Sequence, residues 1–134
     1  MNYKKKPNPS YSDQQAVLYP GITIKEITFQ VTEDCCLNCS YCYQHKKSHK
    51  AMTFETAKKF IDALLNDEIE DFTTKNTGGV AIEFIGGEPL MEIELIEQIW
   101  EYLLHQLIIL NHPWQYHLRG SLCSNGILYF SEKF

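Results

Sequence analysis

The 134-residue sequence has no run of about 18 uninterrupted apolar residues, and its longest candidate, Leu103 to Leu110, is broken by His105 and Gln106. A membrane span is therefore not expected. The first residues lack the apolar core of a signal peptide, which makes a reducing cytoplasm the expected compartment. Positive charge is scarce as well: 12 Lys and Arg stand against 17 Asp and Glu, a formal net charge of -5. Neither nucleic acid nor an anionic membrane is then an expected partner, although Met1 to Lys6 is locally basic. There is no internal repeat and no low-complexity tract. What these absences leave is a protein, a peptide or a small molecule as partner.

What is present is a chain 44% hydrophobic and 13% aromatic, enough for one packed domain but not two. Residues 1–20 are rich in Lys, Pro, Asn, Ser and Gln and read as an irregular entry segment, with Tyr11, Val17 and Leu18 as its apolar contacts. From Ile22 to Val31 the alternation of Ile27, Phe29 and Val31 predicts a strand. Thr53 can cap a helix whose Phe54, Ala57, Phe60, Ile61, Leu64 and Leu65 share one face, ending near Asn66. An acidic connection, Asp67 to Gly79, precedes Val80 to Ile85, an apolar run of the kind buried in a parallel sheet. Ile93, Ile96, Trp100, Leu103, Leu104 and Leu107 mark a second helix that Asn111-His-Pro113 should end. A third strand is expected near Tyr116 to Cys123, with a turn at Ser124-Asn-Gly126, and Ser131 could cap a third helix.

The order β-α-β-α-β implies an α/β fold, a parallel sheet with right-handed crossovers. Three such strands with two helices would leave an edge unpaired and a face uncovered. The expectation is half of a larger domain, one that aggregates or folds poorly when residues 1–134 are isolated.

Four of the five cysteines crowd into Cys35, Cys36, Cys39 and Cys42, directly after the first strand. Such clustering favours metal binding over disulfides. Cys35, Cys39 and Cys42, spaced Cx3CxxC, put three soft thiolates on one short loop, suited to an iron-sulfur cluster or to zinc. A structural zinc site wants four protein ligands, whereas a cubane held by three cysteines keeps one iron open. Gly86-Gly-Glu-Pro89 follows the second strand and Ser124-Asn-Gly126 the third.

Cys35-x-x-x-Cys39-x-Tyr41-Cys42, with an aromatic residue before the last cysteine, resembles the signature of the radical SAM superfamily. The Gly-Gly-Glu-Pro and Ser-Asn-Gly segments fall where that family carries its S-adenosylmethionine (SAM) motif and a Thr-Asn-Gly. The resemblance implies that Cys35, Cys39 and Cys42 ligate a 4Fe-4S cluster whose fourth iron is chelated by SAM. It further implies that Gly86, Gly87, Glu88 and Pro89 hold the methionine end of SAM, that Tyr41 sits near the adenine, and that Asn125 contacts SAM or substrate. The activity implied is formation of a 5′-deoxyadenosyl radical that abstracts hydrogen. The fold implied is the N-terminal three βα units of a partial (β/α)6 TIM-like barrel, so that residues 21–134 are an incomplete core domain. Tyr43 and the Gly-Gly-Glu-Pro-Leu form are closest in style to the peptide- and protein-modifying maturases, the SPASM-type branch. A peptide or protein substrate and a reducing partner such as a flavodoxin or ferredoxin follow from that likeness.

Two blander readings stand beside it. One is a zinc-binding interaction module, its site completed by His45 or by Cys36 in another register. The other is a small iron-sulfur electron carrier that does not use SAM, with Cys123 as a conceivable fourth ligand. Neither gives the Gly-Gly-Glu-Pro turn a role. Cys36 reads as a bystander, Cys123 as a small core residue, and the five histidines as solvent-facing or capping groups.

Overall fold

A computed structural model describes residues 24–40, 42, 44, 46–70, 72, 77–116, 118–123 and 127–130, with backbone alone from Gln115 onward. The elements run β1 (Ile24–Thr32), α1 (Phe54–Leu65), β2 (Gly79–Gly86), a 3-10 turn (Pro89–Glu92), α2 (Ile93–Ile109), a second 3-10 turn (Pro113–Tyr116), β3 (Leu118–Cys123) and β4 (Ile127–Phe130). The four strands form one sheet in the order β1-β2-β3-β4, with β1, β2 and β3 parallel and β4 antiparallel to β3.

In β1 the period of two is visible as burial: Ile27, Phe29 and Val31 are buried while Glu26, Thr28 and Gln30 are exposed. β2 reads as a continuous apolar run and is buried at Val80, Ala81, Ile82 and Phe84. The helices supply the other half of the core: Ala57, Ile61 and Leu64 from α1, and Ile96, Ile99, Leu103 and Leu107 from α2, all in one cluster with the buried strand residues. Both helices therefore cover the same face of the sheet, and β1 turns its polar residues to the other.

The ends of α1 follow from local chemistry. Thr53 stands extended at the N-cap and its side chain accepts from the Thr56 N–H, satisfying one of the free amides of the first turn. After the C-cap at Asn66, Asp67 takes a left-handed φ of 57°, reversing the chain. Asn111 does the same after α2 with φ 47°. Between the helices the Tyr102 hydroxyl donates to Asp62 Oδ1 at 2.6 Å. Burial, then the Asp62 acceptor, push the Tyr102 pKa up to about 12.

Three features differ from the expectations. Phe60, placed on the buried face of the first helix, is 40% exposed, and its ring meets Phe29 edge-on, with ring centroids 5.5 Å apart. Trp114, in the turn after Pro113, is the largest fully buried side chain; its indole N–H donates to the buried Thr77 carbonyl at 3.1 Å. Helical periodicity cannot reveal it because it belongs to no long element. Lastly, β3 is followed by β4: three residues separate Cys123 from its register partner Ile127, a spacing suited to a hairpin. The helix expected from Ser131, and the irregular segment 1–20, lie outside the described residues.

Candidate functional site

The chain leaves the sheet toward the first cysteine at an irregularity. The β1-β2 register shifts between Gln30 and Thr32, where the chain turns out of the strand into the cysteine loop. Thr32 is buried and fully used: its hydroxyl accepts from the Asp34 N–H at 3.1 Å and lies 3.3 Å from the Lys50 carbonyl, and its own carbonyl accepts from Gly87. A short antiparallel clip closes the loop at its base. Met52 N–H donates to Val31 O and Glu33 N–H to Lys50 O, both at 2.8 Å, around the bridge between Thr32 and Ala51.

Side chains tie the two arms of the loop above this clip. Ser48 Oγ donates to the Glu33 carboxylate, Lys47 Nζ to the Leu37 carbonyl, and His49 Nδ1 lies 2.6 Å from Asp34 Oδ2. His49 holds the Asp34 carboxyl below its usual pKa, helped by the Cys35 N–H, and Asp34 in turn raises His49. The ion pair thus exists in the window between the lowered carboxyl and the raised imidazole. It is lost as pH falls through the first or rises through the second.

The cysteines lie along this loop. Cys42 N–H donates to Cys39 O at 3.2 Å, a tight turn, and both residues line a polar depression of about 380 Å³ together with Asn38, Ser40, Gln44 and Lys47. Cys35 is half-buried at the loop's other end, and its Sγ accepts from the Leu37 N–H at 3.4 Å. Cys36 is exposed. Among the described residues no three His, Cys, Asp or Glu side chains converge as a group that could hold a metal ion. The loop carries the three thiols without gathering them.

The glycine motif, by contrast, meets the loop directly. Gly87 N–H donates to Thr32 O at 3.1 Å and Glu88 N–H to Asp34 O at 2.8 Å. A Cβ added to Gly87 would stand 2.1 Å from the Asp34 carbonyl oxygen and 2.8 Å from Cys35 Cβ; one added to Gly86 would stand 2.6 Å from the Thr32 oxygen. Both glycines are therefore required by close backbone approach. Glu88 is extended and its Oε1 accepts from the Leu90 N–H at 3.1 Å, capping the 3-10 turn that Pro89 starts. A carboxylate retains further acceptor positions after one such bond.

Tyr41, Tyr43, His45, His117 and Asn125 with its neighbours Ser124 and Gly126 lie outside the described residues, as does the side chain of Cys123. The sequence reading gave Thr32 and Asp34 no role, and read His49 only as a solvent-facing or capping group. The signal for Asp34 is its place one residue before the first cysteine; His49 carries no local signal, because its partner is 15 residues away.

Residues 20–117, most of the chain, match the family described as a 4Fe-4S single cluster domain. The chain belongs to that family. Its similarity to curated proteins points the same way. It is 43% identical to an uncharacterised protein of Methanocaldococcus jannaschii over 59% of this chain and 24% of that one. It is 30% identical to the radical SAM cyclopropyl synthase TigE of Paramaledivibacter caminithermalis, over 61% of this chain and 19% of that enzyme. The match spans less than a quarter of either relative's length. Family match and relative together mark a radical SAM-like iron-sulfur protein.

The donor set of this 4Fe-4S single cluster domain fits such a group. Three thiols sit on one eight-residue stretch, one of them already receiving an N–H···S bond, a contact that stabilises thiolate charge. Among the described residues no helix is long and apolar enough to cross a membrane.

Proposed function

We propose that this 4Fe-4S single cluster domain is a radical SAM enzyme domain, in which Cys35, Cys39 and Cys42 hold the cluster and the Gly86-Gly87-Glu88-Pro89 turn holds the methionine end of SAM. The observation that carries this reading is the stitch between the two motifs. Gly87 and Glu88 donate to the carbonyls of Thr32 and Asp34, the residues leading into Cys35, and Gly87 leaves no room for a Cβ against Cys35. A turn built only to reverse the chain after β2 would not need contact with the first cysteine.

When bound, the cluster and SAM would supply a 5′-deoxyadenosyl radical that abstracts hydrogen from substrate. The work left to this chain is positional. The three thiolates would hold the cluster, and Glu88 would offer a carboxylate to the ammonium of SAM, a charge-assisted bond. The cysteine loop follows β1 and the glycine turn follows β2, so both lie at the carboxyl end of the sheet, where α/β barrels carry their active sites. The parallel β1-β2-β3 order with both helices on one face is in line with part of a (β/α)6 barrel, from which the antiparallel β4 departs. A peptide or protein substrate, a flavodoxin- or ferredoxin-like reductant and a cytoplasmic setting complete the proposal; they rest on the likeness to peptide-modifying radical SAM enzymes and on the reducing conditions that free thiols require.

Anaerobic reconstitution with iron and sulfide, followed by electron paramagnetic resonance of the reduced protein with and without SAM, tests this. A cubane signal that shifts on adding SAM and vanishes in Cys39→Ala is the expected result. A folded, colourless protein with one bound zinc, or a cluster spectrum indifferent to SAM, would overturn it in favour of a zinc module or an electron carrier respectively.

A further inference from the structure

We infer that Asp34 is a positioning residue that sets the spacing between the cluster loop and the SAM-binding turn, with His49 as the group that holds it in place. The inference rests on the SAM reading above.

Each polar group of Asp34 is engaged, and each in a different part of the site. Its N–H donates to Thr32 Oγ1 at 3.1 Å, which fixes the residue to the end of β1. Its carbonyl accepts from Glu88 N–H at 2.8 Å, the second of the two bonds that seat the glycine turn. Its Oδ1 accepts from Cys35 N–H at 2.8 Å, orienting the first cysteine. Its Oδ2 meets His49 Nδ1 at 2.6 Å, the imidazole reaching across from the far arm of the loop. One residue therefore touches β1, the glycine turn, the first thiol-bearing residue and the return arm.

The carboxylate and the carbonyl are joined by rotatable bonds, but the Oδ1 bond to the Cys35 N–H restrains the 34–35 peptide that carries the carbonyl, so their partners are geometrically linked. Swinging the carboxylate away from Cys35 and His49 frees rotation about the 34–35 backbone, and the carbonyl that Glu88 uses rotates with it. Gly87 is sensitive to that movement, since its α-carbon packs so closely on this carbonyl that a Cβ would overlap it. An error at Asp34 is thus passed on to the distance between Cys35 and the turn. Position matters here because a misplacement of about 1 Å in a preorganised site is costly, and groups that orient a ligand set typically cost roughly 10- to 100-fold in affinity or activity when removed.

His49 makes this separable from folding. Its side chain is 93% exposed, and truncating it removes no core contact, while it takes away the partner that holds the carboxylate.

The test is SAM binding to the anaerobically reconstituted protein, read as the SAM-induced change in the reduced cluster's paramagnetic resonance spectrum and titrated to a Kd, alongside iron and sulfide content. Asp34→Ala is expected to keep its iron content and to weaken SAM binding roughly 10- to 100-fold. His49→Ala is expected to weaken it in the same direction by less, and Asp34→Asn, which keeps an acceptor for the Cys35 N–H, to recover part of the loss. Wild-type Kd values in both Asp34→Ala and His49→Ala would overturn the inference, as would an Asp34→Ala protein without a cluster beside a His49→Ala protein indistinguishable from wild type. Absence of any SAM response in the wild type would overturn the function proposed above; a normal wild-type response with unchanged variants would overturn only the role of Asp34.

Discussion

At Gly87 the two motifs of the site come within van der Waals distance, and a single methyl group is the sharpest probe of that contact. Gly87→Ala places a Cβ 2.1 Å from the Asp34 oxygen, so the turn must move off the cysteine loop. The expected outcome is a stability loss of about 1–3 kcal/mol in urea unfolding and, on the function proposed above, loss of the spectral change expected on adding SAM. His112 offers a second residue-scale test. Its Nδ1 accepts the Trp114 N–H at 3.2 Å, so the folded protein uses the neutral ring, and burial lowers its pKa below 6.5, partly opposed by Asp67. A depressed histidine pKa means that the unfolded chain binds the proton first. Stability is then full above the unfolded value and falls as pH drops from it toward the folded value. Unfolding midpoints measured at about pH 7 and about pH 5 should fall less in His112→Gln than in the wild type; equal falls would remove His112 from the account.

Among the elements, α1 and α2 meet through the Tyr102 to Asp62 bond as well as through their apolar faces. Tyr102→Phe leaves the ring, which packs edge-on against Phe54 with centroids 5.8 Å apart, and deletes only that bond. A cost near 1.5 kcal/mol is expected, the low end for a bond to a charged acceptor because the pair is only part-buried. Trp114→Ala should cost far more, about 3–5 kcal/mol, since it empties the largest fully buried volume and leaves the Thr77 carbonyl without its donor. Thermal unfolding that ranks the two the other way would contradict the packing described. The second helix also shows where a pattern misleads: Ile93 meets the helical spacing yet is 36% exposed, while Ile99, off the expected face, is fully buried. Periodicity gives a stripe, and the neighbours choose its centre.

For the whole molecule, the chief hazard is apolar surface. Ile108, Ile109 and Leu110 are 57%, 62% and 51% exposed where α2 ends, and the last turn of that helix carries no basic residue. Ile109→Lys should reduce light scattering by the concentrated protein. It should change the unfolding free energy by no more than about 0.5 kcal/mol, or raise it slightly through the charge's interaction with the helix carboxyl end. The far face of β1, with Glu26, Thr28 and Gln30 exposed, is polar and poses no such hazard.

The sequence by itself determined the two motifs, the β1, α1, β2 and α2 elements and the Thr53 cap, because these depend on spacing, alternation and local hydrogen bonding over a few residues. Only the tertiary structure decided which groups meet: Trp114 with Thr77, β4 folding back on β3, and Asp34 with His49 and Glu88. Apart from the β3-β4 hairpin, whose strands are joined by three residues, those contacts join residues distant in the chain, and no local pattern encodes them. The glycines show the division most plainly. Sequence placed Gly86 and Gly87 after a strand, but their reason for being glycine is the backbone of Thr32 and Asp34, more than 50 residues earlier, which folding alone brings against them.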